Sequence, residues 1–207
     1  MNINEAVAKL KVVPVVKIDN VEDAKPLAEA LIAGGLPIAE VTFRTAAAYE
    51  AIKAMAEIPE MIVGAGTVIN VEQAKMAIEA GAKFIVSPGF SAKVVAYAQE
   101  NNIPIFPGVC TPSEVMACLE FGLEVVKFFP AENYGGLSTV NALGGPFPQL
   151  KFMPTGGIGP KNIKEYLANS KIIACGGSWM VKDTMIQAKQ FDEITKLTAE
   201  AMALVNE

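Results

Sequence analysis

The sequence predicts an α/β fold, a (β/α)8 barrel with a short N-terminal helix in front of it, and three observations lead there. Eight apolar, β-rich runs recur at spacings of roughly 20–26 residues, the length that a strand, a helix and two turns consume. Helical patterns lie between these runs, several of them closed by glycine or asparagine. No G-x-G-x-x-G follows the first run, which disfavours the competing open, doubly wound sheet. The 207 residues stand at the small end of the range for such a barrel.

Taken in order, MNINEAVAKLK lacks the basic start and apolar stretch of a signal peptide. It reads as a short amphipathic helix capped by Asn4, with Ala6, Val7 and Leu10 on one face. The strands follow as VVPVVKI (12–18), IAEVTF (38–43), MIVGAG (61–66) and KFIVS (83–87). IPIFP (103–107), EVVKFF (124–129), LKFMP (150–154) and KIIAC (171–175) complete the eight. Helical patterns occupy 24–33, 46–56, 74–80, 94–99 and 113–121, the last with Ser113 ahead of Val115, Met116 and Leu119. Gly34-Gly35, Gly81, Asn101-Asn102 and Gly122 close helices. No linker or composition shift divides the chain, so a single domain is expected over 1–207.

Composition narrows the chemistry. Hydrophobic residues make up 52% and charged residues 19%, so the interior is large relative to the surface. Mean hydropathy is +0.35, yet no apolar run reaches the roughly 18 residues of a membrane span. A net charge of −5 without any basic block argues against a nucleic-acid partner, since phosphate backbones call for a cationic surface. Cys110, Cys118 and Cys175 form no C-x-x-C pair and are odd in number, which fits buried thiols in a reduced cytoplasm. The chain has no histidine. Ser-His-Asp catalysis, Cys-His catalysis and histidine-based zinc sites are therefore excluded. Acid–base work falls to a carboxylate, a lysine, a tyrosine, or water held by one of them.

The sixth run, EVVKFFP, places Lys127 inside a buried strand pattern that Pro130 terminates. Desolvation disfavours an ammonium there, so the amine can act as a nucleophile. Taken alone, the segment fits equally a lysine whose stem lies on the core while its head snorkels to the rim. Glu40, Thr42 and Arg44 alternate along the second strand and share one side, with Ala39, Val41 and Phe43 on the other. An acid in such a strand is paired, hydrogen-bonded or functional, because an unpaired buried carboxylate is costly.

Glycine-rich ends follow the third, fourth and fifth strands: Gly64-Ala65-Gly66-Thr67, Ser87-Pro88-Gly89 and Pro107-Gly108. Turn duty explains most of these. Gly156-Gly157 and Gly176-Gly177 follow the seventh and eighth strands, where barrels bind phosphate with backbone N–H groups and a short extra helix. Ser178 can add a donor, and the segment from Trp179 is expected to form that helix. Arg44 and Thr67 can clamp a carboxylate. Together, a lysine, an acid, a carboxylate clamp and a distant phosphate cradle fit an elongated keto acid phosphorylated at its far end.

In VVPVVKI, AGGLPIAEVTFRT (33–45), IVGAGTV (62–68), IVSPG (85–89), VVKFFPAE (125–132), FMPTGGI (152–158) and GGSWMV (176–181), the chain resembles the 2-keto-3-deoxy-6-phosphogluconate (KDPG) / 4-hydroxy-2-oxoglutarate aldolase family over essentially its whole length. The resemblance implies a TIM barrel and a class I, cofactor-free and metal-independent lyase of the Entner–Doudoroff pathway that yields pyruvate and glyceraldehyde 3-phosphate. It also implies a cytoplasmic homotrimer. By the same resemblance, Lys127 matches the Schiff-base lysine and Glu40 the general acid/base. Arg44 and Thr67 match the carboxylate site, Pro88 and Phe129 the pocket walls, and Thr155 a position facing the substrate hydroxyls. Gly156, Gly157 and Ser178 match the phosphate site. At the end of the first strand, where arginine is frequent, this chain has Lys17, and no role is assigned to it. Alternatives stay open: the same chemistry on the galactonate epimer or mainly on 4-hydroxy-2-oxoglutarate, a phosphosugar isomerase, and a non-catalytic phosphometabolite-binding barrel.

Overall fold

The structure, a computed structural model, describes residues 2–207. Helix α1 (Ile3–Leu10) precedes β1 (Val12–Val16), and strands then alternate with helices. In order these are α2 (Ala24–Ala33), β2 (Ile38–Thr42), α3 (Ala48–Ala56), β3 (Ile62–Gly66), α4 (Val71–Glu79), β4 (Ile85–Val86) and α5 (Ala92–Glu100). Strand β5 is Ile105–Phe106 and Gly108–Val109 on either side of Pro107, which has no N–H to give a neighbour. There follow α6 (Pro112–Glu120), β6 (Val125–Phe128), α7 (Gly136–Gly144), β7 (Lys151–Pro154), α8 (Ile163–Leu167), β8 (Cys175–Gly177), α9 (Asp183–Gln187) and α10 (Phe191–Asn206).

All strand pairings are parallel and they close a ring. β1 pairs with β2, β2 with β3, β3 with β4, and β4 with the first half of β5. The second half of β5 pairs with β6, and β6 with β7. Single bridges, Phe152 to Ile172 and Thr155 to Gly176, join β7 to the segment of β8, and β8 pairs with β1. Eight strand positions result, as the spacing predicts.

Two packing zones hold the ring. Outward residues of the strands meet the helices; Ala39 and Val41 of β2 are fully buried, as are Leu27, Ala28 and Leu31 of α2. Inside the ring, Phe84 and Phe106 lie 5.9 Å apart, centroid to centroid. Gly64 makes room for the first of them: a Cβ at that position would stand 2.2 Å from the Phe84 ring. An aromatic plug therefore fills the barrel one strand step below Gly66, and polar side chains occupy the layer above it.

The structure corrects several local expectations. Asn2, not Asn4, caps α1, accepting from the N–H groups of Asn4 and Glu5. Thr111 rather than Ser113 starts α6, with Pro112 in the first turn and Glu114 completing a capping box. The last strand begins at Cys175, so Gly176 and Gly177 lie within it rather than after it. The apolar run before it, 171–174, contributes only the bridge at Ile172. The short helix beyond that strand begins at Asp183, not at Trp179.

Candidate active site

Lys127 and Glu40 come from opposite sides of the ring and meet inside it. Lys127 is 5% exposed and Glu40 1% exposed. The lysine Nζ lies 3.2 Å from Glu40 Oε1 and donates to it. Strand register fixes both groups. The N–H of Lys127 donates to Pro107 O at 2.9 Å, and Lys127 stands level with Gly108 and Met153 on the flanking strands. Glu40 stands level with Val15 and Gly64. The Phe129 ring centroid is 5.2 Å from the ammonium, a cation–π distance. This contact favours a lysine held inside the barrel over one snorkelling outward.

Two polar atoms here have no hydrogen-bond partner among the described residues: Glu40 Oε2 and the Thr155 hydroxyl, both buried. A buried acceptor left open costs free energy in a protein that only folds. At the mouth of a barrel, these atoms are free to take a substrate or a water.

Thr42 donates to Val16 O at 2.8 Å and accepts from Arg44 Nε at 3.0 Å, which anchors the guanidinium of an otherwise exposed side chain. Thr67 follows Gly66 and adopts a left-handed conformation, φ 56°. A β-branched residue is strained there, and such strain gathers at functional sites. Nothing in the residue types announces it. The Pro88 carbonyl packs so close to Gly108, which stands level with Lys127, that a Cβ there would stand 2.1 Å away.

Across the mouth is a cleft of about 400 Å³ whose walls include Arg44, Gly156, Gly157, Gly177, Ser178 and Lys182. Gly156 and Gly157 are consecutive left-handed residues, φ 103° and 79°, a conformation that glycine adopts without steric cost. Among the described residues, the N–H groups of Gly157 and Ile158 donate to no acceptor, whereas that of Gly156 is directed at Gly176 across the Thr155–Gly176 bridge. Successive free N–H groups of this kind make a concavity suited to an anion. Thr155 lines the same cleft, so the expected phosphate and hydroxyl positions share one wall.

Sequence reasoning missed Lys182 and Asp183, which also line the cleft. No carboxylate lies within salt-bridge distance of Lys182 among the described residues, whereas Asp183 faces Lys17 at 4.0 Å. Lys17 is held chiefly by Asp19, at 2.8 Å. The placement of 182 and 183 just past a barrel strand was the available signal. A larger cavity, about 620 Å³, opens at the opposite face of the barrel. There Lys11 and Lys151 are bonded to Val205 O and Ser170 O of the same chain, and none of the residues discussed above reaches it.

Comparison with known proteins points to one family. The family model for KDPG and KHG aldolase matches residues 3–197. The 2-dehydro-3-deoxy-phosphogluconate aldolase of Treponema pallidum is 48% identical over 206 residues, covering 99% of this chain and 98% of that protein. The KDPG aldolase of Legionella pneumophila, solved with pyruvate captured at low pH as a covalent carbinolamine, superimposes with a TM-score of 0.93. It is 41% identical, and the match covers 97% of this chain and 98% of that one. The Zymomonas mobilis enzyme, solved with 3-phosphoglycerate, gives a TM-score of 0.90 at 45% identity, covering 97% and 95% of the two chains.

Proposed function

The chain belongs to the KDPG and KHG aldolase family, and from that premise we propose that it is a class I aldolase, a carbon–carbon lyase working through a Schiff base. Its substrates are 2-keto-3-deoxy-6-phosphogluconate (KDPG), split into pyruvate and glyceraldehyde 3-phosphate, and 4-hydroxy-2-oxoglutarate (KHG), split into pyruvate and glyoxylate. One observation carries the assignment: a buried amine and a buried carboxyl 3.2 Å apart, with the second carboxyl oxygen open. A phosphosugar isomerase has no need of that amine.

The reaction follows from these groups. Lys127 passes a proton to Glu40, and the free amine attacks the C2 ketone to give a carbinolamine. Glu40 returns a proton to the departing hydroxyl, and water leaves to form the iminium. The C4 hydroxyl then loses its proton to Glu40, directly or through one water. The C3–C4 electron pair moves into the iminium, releasing the aldehyde and leaving an enamine on Lys127. Protonation at C3 and hydrolysis return pyruvate and the amine.

The remaining groups position the substrate. Arg44 and Thr67 take the carboxylate, with Pro88 and Phe129 walling the pyruvyl end. Thr155 offers its open hydroxyl to the substrate hydroxyls. Gly156, Gly157 and Ser178 take the phosphate; their support is the free N–H array of Gly157 and Ile158 and its place in the cleft. The Zymomonas enzyme, which holds a phosphorylated three-carbon acid, supports the same reading. We assign the whole chain to one catalytic barrel domain that acts as a cytoplasmic homotrimer. The test is pyruvate release, measured with a coupled lactate dehydrogenase assay on KDPG, its galactonate epimer and KHG. KDPG is expected to give the highest kcat/KM, and no pyruvate from any of the three would refute the assignment.

A further inference from the structure

The loop after β7 is held from behind by side chains that take no part in bond making. Its first three carbonyls are occupied. Thr155 O accepts from Ala131 N at 2.8 Å, Gly156 O from Glu132 N at 3.1 Å, and Gly157 O from Asn162 Nδ2 at 3.0 Å. The same carboxamide grips the loop again, its Oδ1 accepting from Gly159 N at 2.9 Å. With these three carbonyls turned back, the N–H groups of Gly157 and Ile158 are left for the cleft.

Glu132 supports this loop with its side chain as well. Its methylenes lie so close to Gly157 that a Cβ there would stand 2.5 Å from Glu132 Cγ. The hydroxyl of Tyr166 donates to Glu132 Oε1. Gly136, at φ 56°, backs both groups: a Cβ there would stand 2.8 Å from that carboxylate oxygen and 2.8 Å from the phenol oxygen. Tyr166 is 2% exposed. Burial first, and then the Glu132 carboxylate, hold its phenol well above the usual range, so it stays a donor at any working pH. A carboxylate swinging free beside an anion site would repel the anion. This one is pinned.

We infer that Asn162 and the Glu132–Tyr166 pair are positioning residues that set the preference for a phosphorylated substrate, by fixing the N–H groups of Gly157 and Ile158 and holding the Glu132 charge in place. The inference rests on the phosphate site proposed above. Nothing in this network touches Lys127 or Glu40, so its loss should fall on the phosphate end alone.

The test compares the full-length wild type with Tyr166→Phe, Asn162→Asp and Glu132→Gln on KDPG and KHG, with inorganic phosphate as a competitive probe. Asn162→Ser replaces Asn162→Asp if the latter does not fold. Tyr166→Phe and the Asn162 variant should each raise KM for KDPG about five- to tenfold, the loss of one hydrogen bond. They should weaken inhibition by phosphate in step and leave kcat/KM for KHG within about twofold. Glu132→Gln keeps the methylenes and an acceptor for Tyr166, so its KM should stay within about twofold of wild type or fall. Equal losses on both substrates, or an unchanged KM for KDPG in Tyr166→Phe and the Asn162 variant, would overturn the positioning role while leaving the phosphate site standing. A wild type that neither prefers KDPG nor responds to phosphate would overturn the phosphate site and the inference together.

Discussion

Gly66 lies directly against Glu40: a Cβ on Gly66 would stand 2.3 Å from the carboxylate Oε1 and 2.6 Å from Cγ. The proposed catalytic acid thus owes its position to a residue with no side chain, one strand over. Gly66→Ala should leave the barrel folded, because the atom that must yield is the end of a flexible side chain rather than backbone. It should push the carboxylate off Lys127 and lower kcat on the order of a hundredfold, the usual result of an ångström of misplacement. Circular dichroism with steady-state kinetics checks this. Wild-type turnover in a folded Gly66→Ala protein would show that the distance to Lys127 does not matter.

The Lys127–Glu40 pair should also be visible in stability. Lys127→Met leaves a buried carboxylate without its partner and should cost about 3–5 kcal/mol. Glu40→Gln combined with Lys127→Met removes the orphaned charge and should recover much of that loss. Urea denaturation of the two single variants and the double variant measures the coupling. Strictly additive losses would mean that the two groups do not interact in the folded protein.

Glu40→Gln taken alone should lower turnover by about 10²–10⁴-fold, the range for a general acid–base group. Binding of a non-reacting substrate analogue should change little, because the carboxamide keeps the shape of the site. Rapid-quench turnover beside equilibrium titration of the analogue separates the two effects. A variant that binds poorly but turns over normally when saturated would make Glu40 a binding group.

Burial pushes the thiols of Cys118 and Cys175 up to about 12, with Glu114 adding to the shift at Cys118. Both are therefore protonated and unreactive near neutrality. Iodoacetamide at pH 8 should leave them unmodified in the native protein, while urea-unfolded chain should take label at all three cysteines. The sign also sets a stability trend. The folded state holds these protons more tightly than the unfolded state, so their contribution is complete below the ordinary thiol value of 9.0 and is lost as pH rises from there towards about 12. Native-state labelling of Cys175 at pH 8 would contradict its burial.

What was legible in the sequence divides along physical lines. Strand spacing and apolar runs disclosed the ring, because a buried parallel strand has to be continuously apolar. Lys127 and Glu40 stood out as charged residues in two such strands. Cap positions at Asn2 and Thr111 were misjudged because Asn and Ser recur nearby, and propensity does not choose among neighbours. The last strand was placed early because KIIAC has high β propensity, while the residues that pair with β1 include Gly176 and Gly177, which have little. The residues behind the loop after β7, Glu132, Asn162 and Tyr166, could not be read at all. They are ordinary helix and turn residues whose meaning comes from tertiary contacts, such as that of Glu132 with Gly157 and Tyr166, 25 and 34 positions away.

The central claim is that Lys127 forms a covalent bond to the keto carbon. Sodium borohydride added with pyruvate, followed by peptide mass mapping, tests it most directly. The expected result is irreversible inactivation with a reduced pyruvyl adduct on Lys127, and no inactivation by borohydride alone. Full activity after that treatment, or an adduct on any other lysine, would contradict it.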